Sequence, residues 1–361
     1  MTVFDALIPY LAIPISVVSL AVLVLVLYLT IKYTPKIVRI FELQPLFVPL
    51  RVSPFEMGEP VDFRSEDGIR LSGRYFRARS SKRAGVLVYC HEYLSDFWSF
   101  QPYLDHTRDL GYDVFAFDFR NHGTSARDPS YNPLQWTSDR EVADLRAALR
   151  YLRSRPDHDP AGFGLFGVSR GGTTALIAAA DEPDVWGIVT DGAFPTRLMT
   201  VKYMIRWSEI FVRSQLLLSV VPIWFYYVLA WVGRVRSERR HNCCFLEVET
   251  AVKRLGARPW LMIHGERDAY IGPEIARALF ECGRGPKEFW LVPEAKHNRC
   301  REREPHTYAA RIVGFLDRFG PRRRITVTTP PKVGRDEVSS EFADALAPTQ
   351  LVRQVASPVI S

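Results

Sequence analysis

With 361 residues, 47% of them hydrophobic and 24% charged, the chain has room for one large packed domain or two ordinary ones, and is neither fibrous nor wholly disordered. A net charge of +7 suits an anionic surface. Nucleic acid is excluded as a partner, because the basic residues are scattered apart from short runs at 234–240 and 322–324, with no zinc-finger, RRM or helix-turn-helix signature.

The first element runs from Ala6 to Ile31 without a charged residue. About 20 such residues cross a bilayer as a helix, so this stretch is long enough to span with some tilt. Tyr10 and Tyr28 lie near its ends, where aromatic rings favour the interface. A cleaved signal peptide would want a basic leader and a small-residue cleavage site, whereas the leader here carries only Asp5. Residues 1–35 are therefore read as an anchor with its flank, and 36–59 as a linker. Lys32, Lys36 and Arg39 follow the span and no Lys or Arg precedes it. The positive-inside rule then gives a single-pass membrane protein with its main domain on the cytoplasmic side.

From residue 60 to 320 short apolar runs alternate with helical patterns. Eight runs, near 61, 69, 85, 112, 163, 186, 260 and 288, read as strands, most of them buried on both faces. The clearest helix is Ser138 to Arg155, with Val142, Leu145, Leu149 and Leu152 on one face and a capping box of Ser138 and Glu141. Alternation of this kind predicts an α/β fold built on a mostly parallel sheet.

Between the strands near 186 and 260 the connection is far longer than usual, and residues 195–255 are read as an insertion. Its apolar run at 216–233 approaches spanning length, but a crossing would split the sheet across the bilayer. The insertion is thus a helical cap, or a helix lying in the membrane surface through Trp224, Phe225, Tyr226, Tyr227 and Trp231 with the basic run behind them. A cap whose apolar face packs on the core fits the same residues. The tail, 321–361, loses periodicity and is read as flexible. The five cysteines, at 90, 243, 244, 282 and 300, fit neither a disulfide framework nor a metal knuckle.

The chemistry centres on Gly167-Val168-Ser169-Arg170-Gly171, a G-x-S-x-G placed between a strand and a helix. Such a turn exposes the serine and aims free N–H groups of the helix start at its oxygen. A nucleophilic serine needs a base, and the base an orienting acid. Asp268 follows the strand near 260 and His297 follows the strand near 288, so both reach the sheet edge that carries Ser169. Glu266 shares the Asp268 loop as a substitute acid, while His264 and His122 read as structural.

In these features, over residues 60 to 320, the chain resembles the α/β-hydrolases: a mostly parallel central sheet, helices on both faces and a helical cap. "VLVYCHEYLSD" resembles the family's H-G-x oxyanion loop, and "FAFDFRNHGTSA" its D-x-R-G-H-G-x-S segment, with Asn121 in place of Gly. Membrane-anchored members with an N-terminal helix, including acyl-protein thioesterase-like ones, are the most similar. The resemblance implies a Ser169–His297–Asp268 triad, oxyanion donors at the backbone N–H of Tyr93 and Arg170, and acyl transfer through an acyl-enzyme without metal or organic cofactor. It implies a carboxylic ester or thioester substrate, and the apolar, aromatic-rich insertion favours an apolar or lipid-like acyl group. One departure is Glu92, where the family has Gly. Its carboxylate has to turn away from the developing oxyanion or pair, with Arg120 or Arg170 as candidates. A serine peptidase of the same fold and an inactive anchored scaffold remain as alternatives.

Overall fold

The apolar runs form eight strands of one sheet in the computed structural model, which describes residues 3–42, 48–54, 56–211 and 215–321. In chain order these are β1 (Glu59–Arg64), β2 (Arg70–Phe76), β3 (Gly85–Cys90), β4 (Tyr112–Phe117), β5 (Phe163–Val168), β6 (Val185–Asp191), β7 (Trp260–Gly265) and β8 (Lys287–Val292). Their spatial order is β1-β2-β4-β3-β5-β6-β7-β8. Strands β1 and β2 pair antiparallel, as do β2 and β4, and every pair from β4 to β8 is parallel. β3 to β7 are buried along their whole length, while β1 alternates and β8 is half-buried, as edge strands are. The pleat divides the buried side chains between two cores: Val86, Val88 and Leu165 enter one, Leu87, Tyr89 and Phe166 the other.

Helices α1 (Val3–Glu42), α2 (Gln101–Leu104), α3 (Asp139–Ser154) and α4 (Arg170–Asp181) come first. Ser138 and Glu141 form the capping box of α3, and its apolar stripe is buried. In α4, Ala175, Ala178 and Ala179 are fully buried, letting the helix approach the sheet closely. The long insertion is helical: α5 (Thr196–Phe211), α6 (Gln215–Val220), α7 (Ile223–His241) and α8 (Val248–Lys253). α9 (Pro273–Glu281), α10 (Cys300–Arg303) and α11 (Pro305–Phe319) complete the described fold. Apart from Pro321, the tail read as flexible lies outside the described residues.

The linker reading needs a correction at its start. α1 does not stop near Lys36 but runs to Glu42, because Ile37, Val38 and Phe41 are buried against the domain. Phe41 packs on Trp136 and Phe245, with ring centroids 5.5 and 6.5 Å away, and the Trp136 indole donates to its carbonyl at 3.1 Å. α1 crosses α7 at Gly233, where a Cβ would stand 2.4 Å from Ile37 Cγ2. Within α1, Ser16–Arg39 is long and apolar enough to cross a membrane, and it is exposed over most of its length.

Candidate active site

β5 ends at Val168, α4 begins at Arg170, and Ser169 between them sits at φ 50, ψ −117. That backbone is strained for a residue with a side chain, at a cost of about 1–3 kcal/mol. Surrounding structure holds it: Ser169 N–H donates to Asp191 O at 2.7 Å, and Ser169 O accepts from Thr173 N–H at 3.1 Å. The flanking glycines clear backbone rather than the serine itself. A Cβ on Gly171 would stand 2.1 Å from Cys90 O, and one on Gly167 would stand 2.4 Å from Gly171 O.

The structure brings the three strand-end residues into one hydrogen-bonded line. Ser169 Oγ lies 3.0 Å from His297 Nε2, and His297 Nδ1 donates to Asp268 Oδ2 at 2.6 Å. Asp268 Oδ1 accepts the N–H groups of Tyr270 and Ile271, both at 2.9 Å, which fixes the carboxylate. With Nδ1 carrying the proton, Nε2 is the acceptor facing the serine hydroxyl. Burial opposes a charge on His297, but the charge and hydrogen bond of Asp268, joined by Glu92 and Asp191, outweigh it and raise the pKa above 6.5. For Asp268, burial is likewise outweighed by His297 and His264, and its pKa falls below the ordinary value.

Other titratable groups near this edge have different partners. Asp191, at the end of β6, is pushed up to about 6 by burial and accepts from Tyr308 Oη at 3.0 Å. Glu266 is exposed and accepts the Glu294 N–H at 3.1 Å. His264 Nε2 donates to Ile271 O at 2.9 Å, bracing the loop whose amides hold Asp268. His91 is pushed down to about 3 by burial; its Nδ1 donates to Glu92 O and its Nε2 accepts from Phe119 N–H. Asn121, standing where the resemblance has Gly, takes φ +62 and bonds Asp128 and Tyr131 through its side chain, a conformation asparagine tolerates better than most residues.

Tyr93, Ser169 and His297 line one small cavity of about 20 Å³, roofed by Phe194 and by Met199 and Tyr203 of the insertion. That is space for a single water, so an acyl substrate enters only if the roof shifts. Arg170 is the first residue of α4, where an N–H has no acceptor within its own helix. Its buried guanidinium donates to Leu134 O at 2.8 Å and to His122 Nε2 at 3.1 Å, and lies 4.9 Å over the Tyr93 ring. Sequence reasoning gives Arg170 a backbone role and a side chain that could pair with Glu92, and no local pattern points to these side-chain contacts. It also missed Gly192, at φ +69, where a Cβ would stand 2.7 Å from Asn298 Oδ1 and 3.2 Å from His297 Cε1.

Glu92 pairs with neither Arg120 nor Arg170, contrary to the candidates named above. Arg120 is held by Asp144, Asp67 and Asp128. Glu92 is buried, accepts the Leu50 N–H at 2.7 Å, and takes a second hydrogen bond from the Asn298 amide. Both partners are distant in sequence and uncharged, which a search for nearby arginines could not find.

A family model of the α/β hydrolase fold matches residues 85–219. YfhR of Escherichia coli (strain K12) is 23% identical over 269 residues, covering 72% of this chain and 80% of its own. YqkD of Bacillus subtilis (strain 168) is 27% identical over 237 residues, covering 64% and 71%. Among solved structures, the Pyrococcus furiosus esterase Pf2001 aligns with a TM-score of 0.56 at 23% identity, over 77% of this chain and 97% of that one. With its parallel sheet, its strained serine turn and these similarities, this chain is an α/β-hydrolase-fold protein.

Proposed function

We propose that the chain is a membrane-anchored serine hydrolase that cleaves a carboxylic ester or thioester bearing an apolar acyl group. The observation that carries this reading is the line Ser169 Oγ, His297 Nε2, His297 Nδ1, Asp268 Oδ2, with contacts of 3.0 and 2.6 Å. In this reading His297 accepts the Ser169 proton as Oγ attacks the carbonyl carbon, and Asp268 stabilises the imidazolium. The tetrahedral oxyanion is met by the backbone N–H of Tyr93 and Arg170. Collapse expels the alcohol or thiol, protonated by His297, and leaves the acyl group on Ser169. Water, deprotonated by the same histidine, then releases the acid. α1 holds the protein in the bilayer, with Lys32, Lys36 and Arg39 placing the domain on the cytoplasmic side. Apolar side chains around Ser169, among them Trp136, Phe194 and Met199, favour a hydrophobic acyl group.

Glu92, the departure that motivates the inactive-scaffold alternative, has its carboxylate occupied by the Leu50 N–H and the Asn298 amide, which supports an active hydrolase. Labelling with a fluorophosphonate probe tests the proposal. Covalent capture by the wild type and its loss in Ser169→Ala support the hydrolase. No capture by the folded wild type overturns it.

A further inference from the structure

An apolar cleft lies apart from Ser169, between α1 and the insertion. It measures about 680 Å³, inside the range of about 300–1,000 Å³ typical of small-molecule sites. One wall is a single stripe of α1, comprising Val22, Leu25, Val26, Leu29, Tyr33 and Ile37, at the 3–4 spacing of one helix face. Met204, Trp207, Phe225 and Leu229 of α5 and α7 form the opposite wall.

Position and shape both bear on the occupant. The α1 wall falls within Ser16–Arg39, so the cleft lies at the depth of the candidate span. From Val22 to the end of the uncharged stretch at Ile31 the stripe extends roughly 14 Å at 1.5 Å per residue. One leaflet's share of a hydrocarbon core is about 15 Å, so the cleft runs the depth of a leaflet. Lys36, beyond the end of the uncharged stretch, is the one charged residue among those lining it. Trp224, which lines the cleft, and Trp231 of the same helix are exposed, as aromatic residues at a membrane interface are. The cleft is also next to the site: Tyr203 lines the Ser169 cavity and its chain neighbour Met204 lines the cleft. Trp136, which lines the Ser169 cavity, packs on Phe41, one turn of α1 beyond Ile37.

We propose that this cleft binds the acyl chain of a lipid ester drawn from the bilayer, and that α1 is therefore part of the substrate site as well as the anchor. The chain lies along the α1 stripe with its polar end toward Lys36. It reaches Ser169 when the partition formed by Tyr203 and its neighbours shifts, the movement that the 20 Å³ cavity already requires. This rests on the hydrolase reading, and the experiment separates the two.

The full-length protein is reconstituted in phosphatidylcholine vesicles containing a phosphatidylcholine with a diazirine in one acyl chain, and crosslinks are mapped by mass spectrometry. Crosslinks concentrated on Val22, Val26 and Leu29 and on α7 are expected, and Val26→Trp should remove most of them. The same variant should lower the ratio of hexadecanoyl to acetyl ester hydrolysis about tenfold. Val24→Trp, on the opposite, exposed face of α1, should leave crosslinking and ratio as in the wild type. Equal crosslinking around all faces of α1, or a ratio untouched by Val26→Trp, overturns the acyl site. Should Val26→Trp fail to fold, the wild-type crosslink pattern alone decides. If fluorophosphonate capture fails while crosslinks still follow the stripe, the hydrolase reading falls and the cleft stands as a lipid-binding site.

Discussion

At the residue scale, Glu92 is the informative side chain. Burial pushes its carboxyl up, against the hydrogen bonds from Leu50 and Asn298 and the nearby His297. Ionised, it is one of the charges that raise the pKa of His297. A general base works only when neutral, so a higher histidine pKa moves the acid limb of the pH–rate profile upward. Glu92→Gln keeps an acceptor for the Leu50 N–H and removes the charge. The imidazolium then loses stabilisation, its pKa falls, and the acid limb of kcat/KM for an acetyl ester should move to lower pH. A limb that stays in place would show that Glu92 serves only to hold Leu50 and Asn298. Ser169, Asp268 and His297 were legible because each follows a recognisable strand at one sheet edge. The partners of Glu92 and Arg170 were not, since Leu50, Asn298 and Leu134 meet them only through the folded topology.

Elements that obey a single rule were read correctly from the chain. Strands buried on both faces carry continuous apolar runs, and α3 carries its own cap and stripe. The end of α1 was misread because Lys36 and Arg39 resemble an exit from the membrane, while the reason to continue lies elsewhere, in Trp136, Phe245 and α7. Gly233 shows how close that contact is. Glycine inside a helix costs about 1 kcal/mol relative to alanine, so propensity alone favours replacing it. At this crossing, however, any Cβ meets Ile37. Gly233→Leu should therefore destabilise the protein, by about 1–3 kcal/mol as overpacked sites do, rather than stabilise it. Thermal unfolding followed by tryptophan fluorescence reads the sign. A raised midpoint would mean that α1 and α7 are not in contact in the detergent-solubilised protein.

For the whole molecule, the question is whether α1 is a tether or part of the domain. A flexible linker would let the sheet domain move freely relative to α1. Here the helix that holds the candidate span continues without a break into the core, burying Phe41 between Trp136 and Phe245. Trp136 also lines the Ser169 cavity. Consequently α1 and the Ser169 cavity share a structural wall, the Trp136 ring. Removing a buried phenylalanine costs about 3–5 kcal/mol, transfer and cavity together. If α1 belongs to the domain, Phe41→Ala should lose stability of that order in urea titration of the full-length protein. It should also lower ester hydrolysis, because the indole that borders Ser169 loses its support. If α1 is only a tether, the variant should unfold at the wild-type urea concentration and keep full activity.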